Sequence, residues 1–403
     1  MKNKDLEFKN SLNINKKNIS NKYFKKFNKV FEQLKKDFKN DKKTINVLDK
    51  KYDFKFKLQN LNKFKKFKKI AIVGMGGSIL GTEAIHNFLY KKINKNIYFF
   101  DNIDEEQLLR FKKKNKISST LFIIVSKSGN TIETLSNLFS LNILKKNSKN
   151  IIIISEKKDN SLYNLSNKLN LFFIEHSENI GGRYSVLSET GIIPSYLMGI
   201  DIKKIRSELT DFFTKEKLFL KESSIYLSNI LLSNKLNNLI FLNYAPELEK
   251  FLFWCQQLIA ESLGKKKIGF LPLISSVPKD HHSLLQLYLD GPRDKIFYIF
   301  SSKSKSKIKI NCSDQLKEND YLDKKLIGSI KNAQKEALIK ILKKKKINFR
   351  EFKIKKNNEE TIGKLFSYFI IETILLAKLS NIDPFNQPAV EQVKLETKNY
   401  LAK

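Results

Sequence analysis

The chain has 403 residues, 41% of them hydrophobic, and a formal net charge of +35. This length is too great for one ordinary core and predicts two or three domains at ~150 residues each. Two cysteines, Cys255 and Cys312, cannot form a disulfide framework, and there is neither a signal-peptide pattern nor a clean apolar span, so we expect a cytoplasmic protein without a membrane partner.

An amino-terminal helix is predicted by apolar residues spaced three and four apart. The stripe consists of Phe24, Phe27, Phe31, Leu34 and Phe38, a spacing that places all five on one helix face. We therefore expect residues 1–55 to form a helical arm.

Short apolar runs separated by helical periods begin at Ile70. The runs read IAIVG, IYFFD, LFIIVS, NIIIIS and LFFIE, and later LIFLNY, IGFLPLIS, KIFYIFSS and INFREFKI. Strands buried on both faces have this composition, and their alternation with helices predicts an α/β protein with two doubly wound parallel sheets. The expected units are a first domain at 56–200, a helical connector at 201–237, a second domain at 238–380 and a carboxyl-terminal helix at 381–403.

A glycine-rich turn, VGMGGSILGTEAI, follows the first apolar run. It lacks the third glycine of a dinucleotide fingerprint and the Gly-Lys-Ser/Thr of a P-loop. A tight turn packed on a helix and a ligand site are equally good interpretations of this segment.

Hydroxyl side chains follow the run LFIIVS, where a strand gives way to a helix. Ser126, Lys127, Ser128 and Thr131 lie there, and the carboxyl ends of parallel strands are where ligands bind in open sheets. One helix cap would account for one hydroxyl. Several hydroxyls, a lysine and a helix amino terminus together favour a phosphate site.

Two further segments contain candidate polar groups. Arg183 is one of five arginines in a lysine-rich chain, which suggests either a planar charged fork in a site or a structural salt bridge. Gln257 and Glu261 are four apart and share one face of a helix. A carboxylate at position 261 would be costly to bury on an otherwise apolar helix face and would then suggest a functional role, whereas an exposed carboxylate would need no special explanation.

The histidines His281 and His282 are adjacent in KDHHSLLQLYLDGP. Neighbouring helical residues cannot both reach one metal, and no third ligand stands at a suitable spacing. We therefore expect no metal site and no cofactor.

Together these segments resemble the glucose-6-phosphate isomerase family. The matching stretches are GMGGSILG, SKSGNTIET, GGRYSVLSETG, QQLIAESLGK, KDHHSLLQLYLDGP and PFNQPAVEQVK. The first two indicate only a sugar-isomerase (SIS) domain, and the last four are specific. The resemblance covers about residues 60–400 and implies interconversion of glucose 6-phosphate and fructose 6-phosphate through a cis-enediolate.

The resemblance also implies residue roles. Glu261 would be the base that moves a proton between C1 and C2, and Arg183 would stabilise the enediolate. His282, supplied by the neighbouring subunit of a homodimer, would open the ring with Lys394. The phosphate would be held by Ser126, Lys127, Ser128 and Thr131, and the pocket would be lined by Ser78, Gln257 and Gln387.

Two positions depart from the family pattern: His281, where glutamine is common, and Asn130, where threonine is common. Neither removes a proton-transfer group. Glu261 and Arg183 should in any case lie within about 10 Å of each other, since general-base chemistry needs hydrogen-bond reach.

Two alternatives remain. The first is a dual phosphoglucose/phosphomannose isomerase. The second is a SIS-domain sugar-phosphate sensor acting on a nucleic-acid-binding partner, which the net charge of +35 favours. Nucleic acid is not the expected partner, because the charge comes almost entirely from lysines spread along the chain and no DNA-binding helix pair is recognisable.

Overall fold

The fold was determined as a computed structural model, which describes residues 1, 4–12, 21–303, 306–312 and 321–402, with the side chains of 21 and 22 excepted. The strands are β1 Leu6–Ser11, β2 Lys69–Gly74, β3 Asn96–Phe100, β4 Thr120–Val125, β5 Ile151–Ser155, β6 Phe172–Glu175, β7 Asn238–Asn243, β8 Leu271–Ser276, β9 Lys295–Ser302 and β10 Phe349–Ile354. The helices are α1 Asn21–Phe38, α2 Leu58–Leu61, α3 Leu80–Leu89, α4 Glu105–Lys114, α5 Ile132–Ser140, α6 Ser161–Lys168, α7 Glu189–Met198, α8 Ile202–Arg206, α9 Asp211–Thr214, α10 Lys217–Ser233, α11 Glu249–Leu263, α12 Leu285–Asp290, α13 Ile327–Lys344, α14 Glu359–Leu379 and α15 Ala389–Leu401.

The strands form two five-stranded sheets. The first sheet has the order β3-β2-β4-β5-β6, and the second has the order β1-β10-β9-β7-β8. Every pairing is parallel except that of β1 with β10. The predicted α/β class with two parallel sheets and a carboxyl-terminal helix is thereby confirmed.

Apolar side chains arrange the molecule in five layers. One large core lies between the two sheets and includes the buried faces of α3, α7, α10, α11 and α14. A second core packs α4, α5 and α6 on the outer face of the first sheet, and a third packs α12 and α13 on the outer face of the second. Because one core joins both sheets, the halves pack firmly together, and the domain boundaries expected from the sequence stay a prediction.

The amino-terminal segment differs from the expected helical arm in one respect. The stripe from Phe24 to Phe38 does lie on helix α1, where Phe27 and Phe31 are fully buried. Before it, however, β1 pairs antiparallel with β10, with Leu6 opposite Ile354. This strand is short and alternates buried and more exposed positions. Such a pattern is a weak signal in the sequence, because strand formation here depends on pairing with a distant segment.

Helix α14 is buried along nearly its whole length. Its Glu372 forms an ion pair with Arg350, at 2.8 Å between Oε1 and Nη2, and also accepts a hydrogen bond from Tyr368. Partnered charges of this kind make burial of a carboxylate tolerable. Within the described residues, no helix is both long and apolar enough to cross a membrane.

Candidate functional site

The glycine-rich turn after β2 allows two loops to meet. A short 3₁₀ helix, Gly76–Ser78, packs against a second one, Gly182–Leu187. A Cβ atom on Gly77 would stand 2.2 Å from the carbonyl carbon of Gly182. Only glycine permits this approach, which brings Arg183 beside Ser78. The turn is thus both a packing device and part of a cavity wall.

The hydroxyl side chains after β4 converge in front of helix α5. Ser126 Oγ lies 2.8 Å and Ser128 Oγ 3.5 Å from Thr131 Oγ1. Thr131 occupies the helix N-cap position, yet its side chain caps no backbone N–H. Capping therefore does not explain these hydroxyls, and the first turn of α5 keeps N–H groups available for an anion.

Lys127 borders this hydroxyl cluster. Its Nζ donates to the carbonyl oxygen of Glu178 at 2.8 Å and lies 3.5 Å from Glu156 Oε1. Burial lowers the pKa of Lys127, while Glu156 opposes the change. The amino group is therefore held at the rim of the site by two oxygen atoms.

Arg183 is the central buried cation, with 3% of its surface exposed. Its Nε donates to Ser262 Oγ at 2.9 Å, and its Nη1 donates to Glu261 Oε2 at 3.0 Å and to Gln387 Oε1 at 3.1 Å. Its Nη2 donates to the carbonyl oxygens of Pro384 and Asn386. The guanidinium thus joins helix α11 to the segment before α15, using the planar fork that lysine lacks.

Glu261 projects from α11 into the same space. Besides Arg183, it accepts a hydrogen bond from Gln257 Nε2 at 2.9 Å, one helical turn earlier. Both carboxylate oxygens are therefore oriented by donors. Arg183 Nη1 lies 3.0 Å from Glu261 Oε2, well within the separation of about 10 Å that the sequence analysis required.

The carboxyl-terminal helix supplies the remaining wall. Gln387 precedes α15, and Lys394 lies on it, with Nζ 2.8 Å from Glu391 Oε1. None of the residues of α15 is buried. The helix is held instead through the segment that precedes it, which Arg183 and the Tyr184 hydroxyl bind at the Pro384 carbonyl.

These groups surround a cavity of about 480 Å³. Of the site residues predicted from the sequence, those that line it are Ser78, Lys127, Ser128, Thr131, Arg183, Gln257, Glu261, Gln387 and Lys394. Ser126 is buried behind Thr131. The cavity is therefore built by loops of the first sheet, by helix α11, and by α15 with the segment that precedes it.

His282 does not line this cavity. It ends a 3₁₀ helix, Lys279–His282, and is exposed. The two departures from the family pattern also lie outside the lining. His281 Nε2 is 2.9 Å from the Tyr244 hydroxyl, and Asn130 Oδ1 accepts from the Ser161 N–H at 2.9 Å. The Asn130 side chain thus connects its loop to the start of helix α6.

Several contributors were not singled out in the sequence. Glu391 lines the cavity beside Lys394, and its i,i+3 spacing was the available signal. Ser262 and Tyr184 hold the arginine and each other, with 2.8 Å between their hydroxyl oxygens. Lys265 donates to the Asp383 carbonyl, and burial, aided by Arg183, lowers its pKa to about 8.

A hydroxyl cradle at a strand-to-helix turn, joined to an Arg–Glu pair within two parallel sheets, defines a SIS-type protein that handles sugar phosphates. Comparison with solved structures gives the same fold. A hypothetical protein of Thermus thermophilus superimposes with a TM-score of 0.81 at 21% identity, covering 95% of this chain and 96% of that one. A glucose-6-phosphate isomerase of Chlamydia trachomatis gives 0.70 at 16% identity, with 95% and 74% covered.

Sequence comparison identifies the family. The sequence model of the phosphoglucose isomerase family matches residues 32–269 of this chain. The glucose-6-phosphate isomerase of Methanocaldococcus jannaschii is 34% identical over 356 residues, which are 83% of this chain and 86% of that protein. This chain therefore belongs to the phosphoglucose isomerase family.

Proposed function

We propose that the cavity interconverts glucose 6-phosphate and fructose 6-phosphate, with Glu261 transferring the proton between C1 and C2. Membership in the phosphoglucose isomerase family makes the chain an aldose–ketose isomerase of these substrates. The observation that carries the residue assignment is the contact of Glu261 with Arg183 at 3.0 Å in one cavity. A base and a fixed cation at that distance are what enediolate chemistry requires.

Glu261 would act as the base because its carboxylate is aimed by Arg183 and Gln257. Arg183 would then stabilise the oxyanion that forms as the proton leaves carbon. Its charge is poorly screened because it is buried, and a preorganised cation in such surroundings stabilises developing negative charge more than water does.

The phosphate group would be held by the hydroxyls of Ser128 and Thr131, the α5 amino terminus and Lys127. Ser126 would act indirectly, by orienting the Thr131 hydroxyl. Binding the unreactive phosphate fixes the distance of C1 and C2 from Glu261, which converts remote binding energy into positioning.

Solvent hydrogen exchange tests the proton-transfer mechanism. Glucose 6-phosphate turned over in D₂O should give fructose 6-phosphate with deuterium at C1, read by NMR, because a carboxylic acid at Glu261 exchanges with solvent. Complete retention of protium in the product at all conversions would indicate a hydride shift and would remove Glu261 as the base.

We propose further that His282 and Lys394 open the sugar ring, with His282 supplied by a second copy of the chain in a homodimer. This agrees with the exposed position of His282 outside the cavity of its own chain. Lys394 would position the ring oxygen with Glu391 as its ion-pair partner, 2.8 Å away.

Subunit complementation tests this arrangement. Glu261→Gln and His282→Ala should each inactivate the homodimer. Co-expression of the two variants should restore activity in the mixed dimer, because one of its sites then combines Glu261 with the other chain's His282. Mixed dimers, purified through two different tags, that stay inactive would place His282 within its own chain.

The reducing cytoplasm is the proposed location. Cys255 is fully buried in the central core, and burial raises the pKa of its thiol well above the usual range. A thiol in that state is unreactive and serves as a small apolar side chain, which fits a compartment in which no disulfide is needed.

A further inference from the structure

The second sheet repeats the strand arrangement that builds the hydroxyl cradle of the first. In the first sheet β2 lies between β3 and β4, and in the second sheet β7 lies between β8 and β9. In such sheets a crevice opens beyond the carboxyl ends of the two strands at which the chain order reverses. In the first sheet these are β2 and β4, and the cradle is there.

A cavity of about 380 Å³ lies at the equivalent place in the second sheet, beyond β7 and β9. Tyr244 follows β7 directly, Ser301 and Ser302 end β9, and Gly328 and Ser329 begin α13. Among the described elements, α13 is the next after β9, as α5 is the next after β4, although the connection is 24 residues long in the second sheet and six in the first. The mechanism proposed above uses none of these residues.

The first feature that suits an anion is the amino terminus of α13. This helix has 18 residues, and Leu326 at its N-cap position provides no side-chain cap. The N–H groups of Ile327, Ser329 and Ile330 donate to the carbonyl oxygens of Ile308 and Leu326. The Gly328 N–H has no acceptor within the described residues and, with the positive end of the helix dipole, is available to an anion in the cavity that Gly328 lines.

The second, independent feature is the hydroxyl of Ser301. Only 9% of this residue is exposed, and its side chain makes no hydrogen bond to any part of the chain that the structure describes. Phe297 and Ile299 belong to the core packed against α13, and since side chains alternate along a strand, Ser301 lies on that same side, toward the helix amino terminus. This hydroxyl is therefore free to donate to an anion in the cavity.

Charge complements both features. The cavity is also lined by Lys303, Lys331 and Lys353, and among its described lining residues there is no carboxylate. Lys335 is buried there too, but its ammonium group is 3.0 Å from Glu336 and is thus already paired.

We propose that this cavity is a second anion site, which takes a phosphate group, either as inorganic phosphate or as the ester of a small sugar phosphate. The anion would lie at the amino terminus of α13, accept a hydrogen bond from Ser301, and be neutralised mainly by Lys331, the fifth residue of that helix.

Equilibrium dialysis against labelled inorganic phosphate at physiological ionic strength tests the proposal. The wild-type protein should bind two phosphates per chain at saturation, one in each sheet. Lys331→Glu should weaken the second site about tenfold or more, since charge reversal at a few ångströms costs more than 1 kcal/mol at intermediate dielectric. Lys331 is only partly buried and forms no ion pair within the described residues, so the variant should fold.

Lys340→Glu is the matched control, because Lys340 is exposed on the same helix and the substitution gives the same net charge. It should keep both phosphates. Ser301→Ala should weaken the second site severalfold without opening a void. Competition with glucose 6-phosphate identifies the source: displacement of both phosphates indicates an ester site, and displacement of one indicates a site for inorganic phosphate.

One phosphate per chain in the wild-type protein, or equal losses in Lys331→Glu and Lys340→Glu, would overturn the proposal and leave only general attraction to a basic protein. Isomerase activity should be unchanged in Lys331→Glu. Failure of the catalytic assignment would appear in turnover and not in this count of bound phosphates.

Discussion

Glu261 combines two properties at the scale of a single residue: it is paired with a buried arginine, and both of its carboxylate oxygens are oriented. Arg183 and Gln257 each donate to one of its oxygens. The arginine is in turn fixed by Ser262 and by backbone carbonyls. The geometry of the base therefore depends on a hydrogen-bonded network in which Arg183 uses every nitrogen of its guanidinium.

Glu261→Gln should lower kcat by about 10²–10⁴-fold, the usual contribution of a general base, with little change in KM. The amide keeps the size of the side chain but cannot accept a proton from carbon. Steady-state kinetics with both hexose phosphates measures the effect. Glu249→Gln, exposed on the same helix, should behave as wild type, and an active Glu261→Gln enzyme would refute the assignment.

Glu83 offers a test of buried charge away from the catalytic cavity. It is 3% exposed, with Lys250 Nζ 3.3 Å from its Oε1, and burial raises its pKa to about 7. A folded-state pKa above the unfolded value of about 4.5 means that the folded protein binds the proton more tightly. The associated stability is present below about pH 4.5 and is lost as the pH rises through about 7.

Glu83→Gln should remove this loss. Between pH 4.5 and pH 8 the free energy of unfolding of the wild-type protein should fall relative to the variant by up to about 3 kcal/mol, at about 1.4 kcal/mol for each pKa unit. Urea unfolding at both pH values measures the difference. Glu105→Gln, at an exposed position, should leave the wild-type dependence unchanged; identical pH profiles for Glu83→Gln and wild type would contradict the expectation.

At the scale of elements, the site depends on loops that pack closely. The 3₁₀ helices Gly76–Ser78 and Gly182–Leu187 touch through glycine backbone, and this contact carries Arg183 to the cavity. Helix α15 then closes the site although it buries no residue of its own. The position of Arg183 is thus set by the loop contact, and the position of α15 is set by the hydrogen bonds from Arg183 and Tyr184 to the segment before it.

Gly77→Ala should separate these loops, because the added Cβ would meet Gly182 backbone atoms at 2.2 Å and 2.4 Å. We expect a loss of at least about 2 kcal/mol in stability, as for other overpacked sites, and a lower kcat from displacement of Arg183. Thermal unfolding and kinetics measure both. In Gly181→Ala the Cβ meets only Tyr184 Cδ2, at 3.4 Å; this variant should remain close to wild type, and equal behaviour of the two would contradict the loop argument.

The elements that could be predicted from the sequence are those whose own residues show a continuous apolar pattern. All nine apolar runs became strands β2 to β10. The pattern is clearest in central strands such as β2 and β4, which are buried on both faces and are therefore apolar. Strand β1 was missed because its pairing with β10 joins residues 6 and 354, and no local pattern encodes such a partner. Likewise, the resemblance indicated Arg183 and Glu261, while their supports Ser262 and Tyr184 became evident only from three-dimensional contacts.

At the scale of the whole molecule, two sheets share one core and leave a crevice at each reversal of strand order. Lysine side chains line both crevices, and the net charge of +35 should attract anionic substrates at long range. The same charge raises the question of whether nucleic acid also binds.

Duplex DNA should bind only loosely and lose its affinity steeply with salt, because lysine attraction to phosphates depends on counterion release. Filter binding from low to physiological ionic strength measures this dependence. Binding that stays tight and sequence-selective at physiological salt would contradict the expectation and support the sensor alternative.

Mannose 6-phosphate, assayed in parallel with glucose 6-phosphate, decides whether the enzyme has dual specificity.

The most direct test of the account is turnover by the purified protein in the presence of a chelator. Glucose 6-phosphate supplied with excess EDTA should be converted to fructose 6-phosphate at the rate seen without EDTA, because Glu261 and Arg183 supply both the base and the positive charge. A correctly folded protein that fails to convert glucose 6-phosphate, or that does so only when a metal is restored, would contradict it.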